Sequence, residues 1–220
     1  MPELDAASDR NLRFYFSFRS PYSWLATHRT QLAARRTGLS VEYIPVFPPP
    51  DLPNDPAKAP AKLAYIFLDV ARVARAYGLA LKLPEVLDCD WVRPHAAFLY
   101  ALDHGHDAAF AERVYEARFT RGENVGDDVV IARCAHDAGL DEAAAVAAQN
   151  DPRLQKRVLL GMLRGVQEDG LFGVPLLVYR GERFWGNDRV DWLLRRIAEL
   201  RGDAVPDLVS APLSPVHHAP

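Results

Sequence analysis

Sulfur is scarce in this chain. Of 220 residues, two are cysteine and two are methionine. Cys89 and Cys134 stand far apart with no C-x-x-C pair, so they build neither a disulfide framework nor a dithiol redox centre, and two separate reduced thiols are expected. Long apolar runs are also missing: no stretch approaches the ~20 residues a helix needs to cross a bilayer. Neither sign of charge dominates, with 26 Lys and Arg against 29 Asp and Glu, so no basic surface for nucleic acid follows. The opening MPELDAASDRN lacks the basic and apolar regions of a secretory leader, which makes the cytoplasm the expected location. Metal-ligand spacing is absent as well. His104 and His106 fall on different helix faces, His217-His218 sit in a Pro- and Ala-rich tail, and no metal is expected. Asp127-Asp128 reads as a helix cap rather than part of a calcium loop, and Gly122–Gly126 lacks the Lys-Ser/Thr of a phosphate loop.

What remains is an ordinary soluble composition, 49% apolar and 25% charged, arranged in a definite order. Leu12–Phe18 is short, aromatic-rich and followed by Ser-Pro, which predicts a buried strand. Ser20 is a good N-cap, Pro21 a good first helical residue, and Gly38 a helix stop. Val41–Phe47 reads as a second strand, ended by Pro48-Pro49-Pro50, and the opening is therefore a β-α-β unit. A Pro- and Asp-rich loop, Asp51 to Lys58, leads into helical patterning. Tyr65, Leu68, Asp69, Arg72, Val73 and Tyr77 predict one helix stopped near Gly78. Further helices are expected over 95–119, 127–138, 142–149 and 152–169. Strand signals return at Pro175–Tyr179 and Arg183–Trp185, joined by a short turn, and Asp188 can cap a last helix running through Leu200.

The order β-α-β, helical block, β-β-α leaves neither end able to complete a sheet alone. One sheet built from both ends gives an α/β, thioredoxin-like fold with a large all-helical insertion. The expected division is residues 11–50 with 170–200 as the thioredoxin-like domain, 51–169 as the inserted helical domain, and 201–220 as a flexible tail.

Three constellations carry possible chemistry. Ser20-Pro21-Tyr22-Ser23 occupies the place of a C-P-Y-C redox motif with both sulfurs replaced by oxygen. Ser20 serves as a helix cap on any reading; a helix N-terminus also favours an anion, including a thiolate to which the hydroxyl can donate. Phe172-Gly173-Val174-Pro175-Leu176 opens the strand expected beside that helix. It is a turn at least, and a cis proline there would leave the Val174 backbone open to a thiol-bearing peptide. Trp185-Gly186-Asn187-Asp188-Arg189 is either a plain cap or a recogniser of an amino-acid head group, with Asp188 suited to an ammonium.

Taken together, Phe14–Ser23, Phe172–Pro175 and Phe184–Arg189 resemble the family of 2-hydroxychromene-2-carboxylate isomerases and kappa-class glutathione transferases, a branch of the DsbA-like thioredoxin superfamily. Lys62, Tyr65, Asp69, Arg72 and Tyr77-Gly78 follow the family's first inserted helix, and the resemblance spans Leu12 to Leu200. It implies glutathione as cofactor, with Ser20 as the catalytic serine bonded to its sulfur. Val174 beside Pro175 would pair with its backbone, Asn187 and Asp188 would hold its γ-glutamyl end, and Asn54 would lie near it. Tyr22, Trp24, Trp91 and Trp185 are candidates for a flat pocket around a small aromatic substrate. The implied activity is cis–trans isomerisation in aromatic catabolism, by a homodimer without nucleic-acid or membrane partners. A kappa-like transferase and a non-enzymatic thiol-peptide binding module are the alternatives. Ser17, Leu176 and the segment Asp88–Pro94 depart from the family pattern and bear on the second substrate.

Overall fold

The computed structural model describes residues 11–47 and 59–205. Asn54, the first ten residues, the Pro-rich loop to Lys58 and most of the expected tail lie outside the described residues. The elements are β1 (Asn11–Phe16), α1 (Pro21–Thr37), β2 (Ser40–Pro45), α2 (Pro60–Ala76), α3 (Val92–Asp103), α4 (Asp107–Tyr115), α5 (Asp128–Asp137), α6 (Glu142–Gln149), α7 (Pro152–Asp169), β3 (Leu176–Tyr179), β4 (Glu182–Trp185) and α8 (Val190–Arg201). A π-helical turn, Glu116–Thr120, extends α4, and a 3-10 turn, Asn187–Arg189, precedes α8.

Both ends of the chain contribute to one sheet, ordered β2-β1-β3-β4. β1 runs parallel to β2 and antiparallel to β3, and β3–β4 is a hairpin. This is the thioredoxin-like arrangement expected from the element order. The parallel crossover through α1 is made possible by clean helix ends. Ser20 caps the start in extended conformation, Pro21 needs no N–H partner, and Gly38 closes the end at φ 67°.

Alternation along β1 divides the interior in two. Leu12, Phe14 and Phe16, with Leu177 and Tyr179 of β3, face a large core shared with α1, α3, α4 and α8. Tyr15, Leu176 and Val178 face the opposite side, with Met162 and Leu171 packed against them. α7 approaches that second face so closely that a Cβ added at Gly165 would lie 2.5 Å from the Tyr15 ring. There Asp169 accepts from Tyr15 Oη at 2.5 Å and from Arg13 at 2.6 Å, which pins the C-terminal end of α7 to β1.

The first core is aromatic. Phe16 packs edge-on to Phe98 at 4.9 Å, and Phe18 edge-on to Tyr115 at 5.1 Å. Pairs of this kind add about 0.5–1.5 kcal/mol each beyond their buried area. They tie β1 to α3 and α4. The helical stretch expected over 95–119 is two helices, broken at His104-Gly105-His106, because the chain must reverse there for α3 and α4 to pack on each other.

Candidate functional site

The site is built around the four residues that leave β1. Ser20 N–H donates to Ser17 O at 3.0 Å, closing a tight turn. Ser20 Oγ accepts from Ser23 N–H at 3.1 Å, as an N-cap should. Ser23 is fully buried, and its Oγ in turn accepts from Ser17 N–H at 3.3 Å. A hydroxyl has one proton to give besides its lone pairs, and the Ser20 O–H has no acceptor among the described residues. The residue is partly exposed. The first turn of α1 holds no acidic side chain, so the positive end of the helix is uncompensated by its own sequence.

The helical block holds this turn from the other side. His95, with no exposed surface, accepts from Phe18 N–H through Nε2 at 3.0 Å. Its Nδ1–H donates to Trp91 O at 2.6 Å, and its ring stacks on Phe18 at 5.0 Å. Burial pushes the imidazole down to about 3, so it stays neutral with the proton on Nδ1. Tyr115 Oη donates to Ser17 O at 3.0 Å. Neither His95 nor Tyr115 stood out in the sequence: both sit on apolar helix faces, where only the distant turn gives them a polar task.

Across the sheet, the Val174–Pro175 peptide is cis and lies at the start of β3, the strand paired with β1. Val174 N–H and C=O have no backbone partner among the described residues. Pro175 O accepts from Gly186 N–H at 3.0 Å. Gly186 adopts φ 118°, and a Cβ there would fall 2.6 Å from Asp188 Oδ1. The 3-10 turn that follows packs against α1, with Asn187 buried and Asp188 exposed beside Arg189 at 3.1 Å. Asp188 is not the cap of the last helix. That position belongs to Arg189, whose side chain makes no cap bond, because the chain turns once as 3-10 helix before α8 begins.

The aromatic candidates separate. Tyr22 is half-buried and donates to Asp69 at 2.8 Å, tying α1 to α2; burial and then this carboxylate push its phenol well above the ordinary value. Trp185 is 53% exposed and meets Phe172 edge-on at 5.0 Å. Trp24 and Trp91 are interior rather than pocket walls, at 2% and 5% exposure. Trp24 stacks on Phe119 at 5.3 Å, and Trp91 lies under the Arg118 guanidinium at 4.6 Å. Their size suits a core beneath the Ser17–Ser20 turn as well as it suits a substrate.

Both cysteines are free, and burial pushes each thiol up to about 12. Among the described residues no His/Cys/Asp/Glu group could hold a metal ion, and no helix is long and apolar enough to cross a membrane.

A helix N-cap hydroxyl after the C-terminal end of β1, at the same end of the sheet as a cis-proline loop that opens β3, is the site plan of a thioredoxin-like protein without its redox thiols. The DSBA-like thioredoxin domain model matches residues 11–198, and the chain belongs to that family. It is 32% identical over 197 residues to the 2-hydroxychromene-2-carboxylate isomerase of Sphingobium xenophagum, covering 84% of this chain and 96% of that one. It is 27% identical to the enzyme of the same name from Pseudomonas putida, covering 80% and 89%. A solved 2-hydroxychromene-2-carboxylate isomerase superposes with a TM-score of 0.77 at 25% identity, covering 87% of this chain and 96% of that one.

Proposed function

We propose that the protein is a glutathione-dependent cis–trans isomerase acting on 2-hydroxychromene-2-carboxylate or a closely related aromatic catabolite. The observation that carries the reading is Ser20: a capping hydroxyl with no acceptor for its proton among the described residues, on a helix whose own first turn holds no acidic side chain. Likeness to the isomerases over most of the chain supports the reaction class.

The residues fit glutathione. Val174 has backbone N–H and C=O groups available for strand-like pairing, and Asp188 offers an exposed carboxylate to an ammonium. Asn187 lies beside it in the same turn. When bound, glutathione supplies the sulfur nucleophile whose reversible addition turns a double bond into a single bond about which the substrate can rotate.

Ser20 must make that sulfur ionise. A free thiol with pKa near 8.5 is only about 3% thiolate at pH 7. A depression of about two units makes it mostly thiolate, and corresponds to about 2.7 kcal/mol of preference for the anion. A hydroxyl hydrogen bond to an anion contributes about 1.5–3 kcal/mol and a helix N-terminus about 0.3–1 kcal/mol, which together reach that figure. His95 and Tyr115 contribute indirectly, by fixing the turn that aims the hydroxyl. The buried cysteines take no part. The reading includes a homodimer, as the resemblance implies, working in the cytoplasm.

Purified protein supplied with glutathione and 2-hydroxychromene-2-carboxylate is expected to interconvert the isomers, and Ser20→Ala to remove most of that turnover. Binding of glutathione without turnover, but with conjugation of a chloro-aromatic electrophile, would move the assignment to a transferase. No binding of glutathione would overturn it.

A further inference from the structure

α7 turns Val158, Met162, Gly165 and Asp169 inward, and these hold it on the rest of the molecule. A helix held by one face ordinarily shows polar side chains on the other. α7 does not. Leu159, Leu163 and Val166, spaced i, i+4, i+7 along one line, and Leu160 beside them, are each between 41% and 52% exposed. Gly170 then ends the helix in left-handed conformation, and Leu171 N–H folds back to Gly165 O at 3.0 Å. This sets Phe172, 63% exposed, at the C-terminal end of the stripe, where it meets the Trp185 ring.

These six apolar side chains expose on the order of 600 Å², more than the few hundred a monomer ordinarily leaves bare and close to the ~800 Å² per partner of a standard interface. The cations beside the stripe are mostly engaged. Arg157 donates to Asp103 at 2.5 Å, and Arg164 to Glu168 at 2.8 Å. Lys156, exposed at the N-terminal end, has no carboxylate partner among the described residues. The patch therefore has an ammonium at one end and two open aromatic rings at the other, separated by about 20 Å of helix. Ends that attract each other suit a second copy of the same surface, related by a twofold axis. Leu163 stands midway between Lys156 and Gly170, where that axis would pass.

We propose that this face of α7, with Phe172 and Trp185, is the subunit interface of a homodimer. The two α7 helices pack antiparallel, and each Lys156 lies over the aromatic pair of the other subunit. The inference rests on the homodimer included in the proposed function, and names its surface. Trp185 lies two residues before Asn187, so the interface adjoins the turn offered to the γ-glutamyl group.

Sedimentation of the full chain over a range of concentrations gives the dissociation constant, with glutathione calorimetry on the same samples. The wild type is expected to be a dimer. Leu163→Glu, which sets two carboxylates against each other at the axis, should raise the dissociation constant at least about a hundred-fold without changing the far-ultraviolet circular dichroism. Lys156→Glu should raise it about ten-fold, because the contact is lost twice. Leu163→Cys should form an intersubunit disulfide under mild oxidation, and Val129→Cys, more exposed but on α5, should not. A dimer that Leu163→Glu leaves intact would overturn the assignment, as would a monomeric wild type. A monomer whose unfolding midpoint falls in Leu163→Glu would show instead that other residues of the same chain cover the face. If the wild type is monomeric yet binds glutathione and turns over, the interface falls and the isomerase reading stands. If it dimerises through this face but binds no glutathione, the reverse holds.

Discussion

Ser20 and Ser23 hold each other in place: Ser23 N–H donates to Ser20 Oγ at 3.1 Å, while Ser23 Oγ accepts from Ser17 N–H at 3.3 Å. The two positions that carry sulfur in a C-x-x-C motif thus do different work here. The first presents a hydroxyl, and the second, inside the helix, secures the turn from below. Ser23→Ala would leave the buried Ser17 N–H unpaired, and is expected to cost about 1–3 kcal/mol of stability in denaturant unfolding. Its effect on glutathione affinity should be smaller than that of Ser20→Ala. The reverse ranking would contradict the division of labour.

His95 makes stability depend on pH. Its folded-state pKa, about 3, lies below the ordinary 6.5, so the unfolded chain binds the extra proton between these values. Stability from this group is complete above pH 6.5 and declines as pH falls towards 3. His28, lowered by burial to about 4, acts in the same sense. Each contributes a slope of up to about 1.4 kcal/mol per pH unit in that window. Unfolding midpoints measured from pH 7 to pH 4 should fall, and His95→Gln, though less stable at pH 7, should flatten the decline. An equally steep decline would show that His95 does not titrate this way.

Gly186 is expected to tolerate no side chain. Alanine there would be held at φ 118° and would press on Asp188, so Gly186→Ala should destabilise by about 1–3 kcal/mol. Because the strain falls on the Asn187–Asp188 turn, glutathione affinity should drop in the variant even at temperatures where it is fully folded. Calorimetry below the unfolding transition checks this.

The thiols should be inert. With both pushed up to about 12 by burial, iodoacetamide at neutral pH should label the native protein slowly at Cys89 and Cys134, and denatured protein rapidly at both. Rapid native labelling would mean that a protein thiol is available for chemistry after all.

Local signals carried much of this structure. Ser20, Pro21 and Gly38 bound α1 as their cap chemistry requires, and the periodicity of α6 and α7 matches the helices that form. The thioredoxin-like sheet followed from an order of elements that allows few alternatives. What was not legible depends on contacts distant in sequence. His95 reaches Phe18 across the core, and nothing in the apolar run around it distinguishes a satisfied buried histidine from any other. Trp24 and Trp91 were pocket candidates although large apolar residues more often fill a core, and the packing of Phe119 and Arg118 on them places both in the interior. The π-helical turn that delivers Arg118 has no sequence signature, because it arises where α4 must meet both the Leu87 carbonyl and the Trp91 ring.

The central claim is that Ser20 lowers the pKa of a thiol that arrives with its ligand. It is tested most directly by titrating the ultraviolet thiolate absorbance of glutathione bound to the wild type and to Ser20→Ala. The account predicts a bound thiol about two units below its free value of about 8.5, and a return by about one unit or more in the variant. A bound thiol that titrates at its free value in the wild type, or equally low in both proteins, would contradict it.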